Sequence, residues 1–131
     1  MTEFDLTDMA ICLNEPQVEC VAPWNLARKG ITLTEWASKK DNIFIGYGVP
    51  LATLVGPGIL GIPRRKLKWE CRYYGYDYMK RYKQYVKRLW KDLDELAECT
   101  LGCYCFNNNN NNCPCKILVR LYRAKTRGKT M

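Results

Sequence analysis

Histidine is missing altogether from the 131 residues, and that absence closes off several chemistries. Without imidazole the chain lacks the side chain that ordinarily titrates near neutrality. Ser-His-Asp and Cys-His catalysis within the chain are excluded with it. So is the commonest nitrogen ligand for zinc, copper and haem. Neither the GxxxxGK[ST] phosphate loop nor the GxSxG nucleophile elbow occurs. The composition is that of a small binding or anchoring component rather than an enzyme.

Charge is also missing where it would be expected. From Ile43 to Ile62, twenty consecutive residues carry no ionisable group apart from the Tyr47 phenol. Charges on either side are of opposite balance. Residues 1–42 hold seven acids and four bases, a net of −3, whereas residues 63–131 hold six acids and seventeen bases, a net of +11. This pattern divides the chain into an acidic N-terminal arm (1–42), an uncharged segment (43–62) and a basic helical and Cys-rich region (63–131). A chain of this length has room for one modest domain, whose core gains from reinforcement by membrane, metal, disulfides or partners.

The uncharged segment is long enough for a membrane span, since twenty helical residues rise roughly 30 Å. Its five glycines and two prolines would break a helix in water, but they are tolerated in lipid where other helices pack closely. Arg64, Arg65, Lys66 and Lys68 follow directly, with Trp69 beside them. Basic residues and aromatic rings at that position suit a membrane interface. The acidic first forty residues do not fit a cleavable presequence, so the span itself is expected to direct insertion. The other reading of 43–62 is a buried Gly/Pro-rich or extended segment in a soluble protein or virion shell.

In the acidic arm, Thr2 with Asp5 and Thr32 with Glu35 have the spacing of helix-capping pairs, and Pro16 and Pro23 interrupt the chain. Short helices are expected there. Trp24 and Trp36 would dock onto a partner or pack on the chain's own body. Beyond the span, Trp69, Tyr73, Tyr76, Met79, Tyr82, Val86, Leu89, Leu93 and Leu96 recur every three or four residues. That period predicts a long amphipathic helix over about 67–99. Arg72, Lys80, Arg81, Lys87, Arg88 and Lys91 form its basic surface, suited to anionic headgroups, to nucleic acid or simply to solvent.

Five of the eight cysteines fall between Cys99 and Cys115. Cys103-x-Cys105 and Cys113-x-Cys115 bracket the run Asn107–Asn112, as two arms of a hairpin would. Alternate residues of extended chain point the same way, so these four thiolates could converge on zinc. Two cross-strand disulfides, or unlinked buried thiols, are the other outcomes.

The expected fold is mainly α: short N-terminal helices, one Gly/Pro-rich transmembrane segment, a long basic amphipathic helix and a small Cys-rich hairpin. This layout is similar in outline to single-span accessory subunits of respiratory complexes. The likeness implies a non-catalytic structural subunit in the mitochondrial inner membrane, with its N-terminus on the intermembrane-space side and with other subunits and lipids as partners. The alternative is a nucleic-acid-binding or virion structural protein with a zinc hairpin.

Overall fold

A computed structural model describes residues 15–104 and 113–128. The chain is mainly helical, built on a small sheet. β1 (Gln17–Cys20) leads to α1 (Pro23–Arg28), α2 (Leu33–Ser38) and β2 (Asn42–Phe44). Next come α3 (Leu51–Val55), a 3-10 helix (Gly56–Gly61) and α4 (Arg64–Leu67). After an extended stretch follow α5 (Tyr78–Lys87), a second 3-10 helix (Trp90–Leu96), β3 (Thr100–Cys103) and α6 (Pro114–Thr126).

The last strand is central. The sheet order is β1-β3-β2, with both pairings parallel. Val18 and Ile43 both lie opposite Leu101, and Cys20 lies opposite Cys103. Parallel neighbours require crossovers, which the helices supply. Because side chains alternate across a strand, the sheet feeds two cores. Ile43, Ile45, Leu101 and Cys103 join Trp69, Tyr82, Val86, Leu93, Leu96 and the buried face of α6. Phe44 points the other way and packs with Val21, Leu26, Trp36, Leu51 and Ile62. Strands from the acidic arm, the uncharged segment and the basic region therefore meet in one sheet.

The helices expected in the acidic arm are α1 and α2. Thr32 and Glu35 form the reciprocal capping box: Glu35 N–H donates to Thr32 Oγ1 at 3.1 Å and Thr32 N–H to Glu35 Oε1 at 3.3 Å. The Thr2–Asp5 pair lies outside the described residues.

Three sequence expectations are corrected. First, residues 43–62 do not form a continuous helix, and no helix among the described residues is long and apolar enough to cross a membrane. Glycines and prolines divide the segment. Gly46 and Gly48 take positive φ of 67° and 79° in the turn after β2, a region open to glycine at little cost. Pro50 then precedes α3, and Pro57 sits in the first turn of the 3-10 helix. Second, the long helix of 67–99 is broken. Cys71 N–H donates to Ile45 O, and Gly48 N–H donates to Cys71 O, both at 2.8 Å. Residue 71 is thus tied to the chain leaving β2, and Gly75, at φ 95°, turns into α5. Third, the Cys-rich hairpin has only one extended arm: Cys103 ends β3, whereas Cys113 caps α6 and Cys115 sits in its first turn.

Candidate metal centre and basic faces

Three of the four expected metal ligands come together. Cys103, at the end of β3, reaches the α6 side of the sheet, while Pro114 starts α6 and places Cys113 and Cys115 on either side of itself. The three sulfurs lie within 4.8 Å of one another, and each residue is buried. Burial pushes the Cys115 thiol well above its ordinary pKa, and its contacts with Cys103 and Cys113 push the same way. Metal binding at such thiols displaces protons, and the positive end of a 13-residue helix favours the resulting charge. This buried triad could hold a metal ion. Cys105, the fourth expected ligand, lies outside the described residues.

Two more thiols share this core. Cys71 is raised to about 11 by burial, and its thiol donates to Tyr73 O at 3.4 Å. Cys99 is also raised by burial and donates to Glu95 O at 3.3 Å. All six described cysteines are unlinked.

The residues assigned from sequence to a membrane interface separate into different environments. Arg64 and Arg65 are exposed. Lys66 is buried, and its ammonium donates to the carbonyls of Ala37 (3.2 Å) and Lys39 at the C-terminus of α2. Burial lowers its pKa, and Arg65 adds to the effect. Lys68 bridges Asp92 and Glu95 at 3.0 and 2.9 Å. Desolvation pulls its pKa down, but the two carboxylates outweigh it, leaving Lys68 above the ordinary lysine value. Trp69 is wholly inside, where its carbonyl accepts from the Tyr82 hydroxyl at 2.5 Å.

The tryptophans proposed for docking also part. Trp36 is a core residue whose indole N–H donates to Glu19 at 2.6 Å, whereas Trp24 stays half exposed. Burial raises the Glu19 pKa, but hydrogen bonds from Lys29 and Trp36 bring it below the ordinary range.

On the basic surface, Arg72 reaches the buried Glu70 at 3.6 Å, and Arg81 pairs with Asp77 at 3.9 Å while covering the Tyr73 ring. Lys80, Arg88 and Lys91 are exposed, and Lys87 is intermediate. Sequence reasoning missed the partner face on α6. Lys83 of α5 and Arg120 of α6 join Lys80 around a groove of about 370 Å³ floored by Met79, Ile117, Leu121 and Ala124. The signal was available, because neither helix contains an acid, but their pairing is a tertiary fact.

Gly56, Gly58 and Gly61 have the spacing of a dinucleotide-binding loop. Such a loop joins a strand to a helix, whereas these glycines belong to a 3-10 helix between α3 and α4, with Gly58 set against Thr34. The spacing is incidental. No family model, curated protein or solved structure matches the chain.

Proposed function

We propose that the chain is a non-catalytic structural component of a larger assembly, held in shape by a thiolate-bound zinc ion. The carrying observation is the convergence of Cys103, Cys113 and Cys115, buried, where β3 meets α6. A soft sulfur set suits zinc, and a closed four-ligand site would be structural rather than catalytic. Cys71 lies in the same core and is a candidate fourth sulfur; the Cys103-x-Cys105 spacing makes Cys105 the other. Zinc would tie the central strand to the 13-residue α6, supporting a sheet whose described strands are only three or four residues long. The test is zinc content by mass spectrometry after purification without added metal. About one zinc per chain, lost in Cys113→Ser and Cys115→Ser variants, supports the reading; a folded, metal-free wild type rejects it.

A second reading, as an accessory subunit of a membrane complex, draws support from a different surface. Val49, Leu54 and Leu60 are exposed on the uncharged segment, Leu60 by 90%, and Arg64 and Arg65 follow it. These groups would suit contact with a bilayer surface and neighbouring subunits. Flotation of native membranes at neutral pH tests this: comigration with a membrane complex supports it, and absence from the membrane fraction removes it.

A further inference from the structure

We propose that the groove between α5 and α6 binds single-stranded nucleic acid. The two helices are ten and thirteen residues long, and neither contains an aspartate or glutamate. Lys80 and Lys83 stand on one wall and Arg120 on the other, all exposed. None of the three forms an ion pair with an acid among the described residues. Lys87 continues the α5 wall one turn further on, so cations recur about every 5.4 Å, the scale on which phosphates follow one another along a strand.

Between the walls the floor is apolar. Ile117 and Leu121 are only 5% and 8% exposed, so their side chains are recessed below the cations. A bilayer would require the reverse relief, with apolar side chains projecting from the face. A strand fits this relief, because it can direct phosphates to the walls and lay bases against the floor. In the turn that opens α5, three residues before Met79, the Tyr76 ring is fully exposed, offering a stacking surface just ahead of the helix that carries the lysine wall. This combination of cationic walls and an exposed ring in the turn leading into α5 favours nucleic acid over an acidic peptide.

Fluorescence anisotropy of the full chain with a labelled twenty-nucleotide oligo-U, titrated from about 50 to 200 mM salt, tests the assignment. The expected result is saturable binding whose logarithm falls linearly with the logarithm of salt. Lys80→Glu/Lys83→Glu/Arg120→Glu should weaken binding at least tenfold. It should also flatten the slope by about 2, given ~0.7 per phosphate contact on a single strand. Tyr76→Ala should weaken binding without changing the slope. Circular dichroism of the triple variant separates a lost site from a lost fold. Absence of binding, an unaffected triple variant that remains folded, or equal competition by polyglutamate or by phosphatidylserine vesicles would each overturn the proposal.

Discussion

Trp36 occupies the space that a side chain at Gly102 would need: a Cβ there would come within 2.5 Å of the indole and 3.0 Å of Val21. The central strand therefore carries glycine at its middle because α2 lies directly against it. Gly102→Ala should push the indole from its bond to Glu19 and destabilise the fold by about 1–3 kcal/mol. Thermal unfolding followed by near-ultraviolet dichroism would register both the lower midpoint and the altered tryptophan signal. An unchanged midpoint would show that α2 yields without loss.

Two buried charges act as caps supplied from a distance. Lys66 donates to the carbonyls of Ala37 and Lys39, and a Glu70 oxygen accepts from Leu51 N–H at 2.6 Å where α3 begins. Helix ends leave such groups unpaired, and unpaired buried groups are costly. Lys66→Met and Glu70→Ala should each cost about 1–3 kcal/mol in denaturant unfolding, and Glu70→Gln less than Glu70→Ala. Because the two caps serve α2 and α3 separately, their double variant tests whether those short helices are lost together.

These caps also mark where sequence reading fails. Lys66 lies in a run of four cations within five residues, and nothing in the run says which one turns inward. The uncharged segment misleads for a related reason: hydropathy measures exclusion from water, not whether lipid or protein replaces it. Its glycines and prolines carried the correct information, since they cut the segment into β2, α3 and a 3-10 helix. The sheet itself was illegible, because strands of three and four residues are too short to display a period of two, and β1 meets β3 across some eighty residues of chain. Local signals survived better. The Thr32–Glu35 box and the spacing of Tyr82, Val86, Leu93 and Leu96 were readable, and so was the cysteine grouping, although Cys113-Pro114-Cys115 starts a helix rather than an extended arm.

If zinc joins β3 to α6, its removal should loosen that junction before the remainder of the fold. Chelation of the purified protein should lower the unfolding midpoint, and stoichiometric zinc should restore it. Hydrogen exchange should rise first at the backbone of Leu101–Cys103 and the opening turn of α6. Exchange that rises first in α1 and α2 instead would place any bound metal elsewhere.

Glu15 and Arg123 join the segment before β1 to α6 through two hydrogen bonds of 2.6 and 2.7 Å. The guanidinium bonds are the largest influence on the carboxyl and hold it below its ordinary pKa of 4.5; burial opposes them, and Arg127 adds to them. A carboxylate with a lowered folded-state pKa contributes stability above its unfolded value and loses that contribution as pH falls through the folded one. The pair should therefore act fully at pH 7 and fade below about 4.5. Arg123 is 46% exposed, so solvent screening limits the gain to roughly 0.5–1 kcal/mol. Urea unfolding of the wild type and Glu15→Gln should separate by about that amount at pH 7 and converge towards pH 3. A constant separation across that range would mean that the variant acts through packing against Pro16 and α6 rather than through charge.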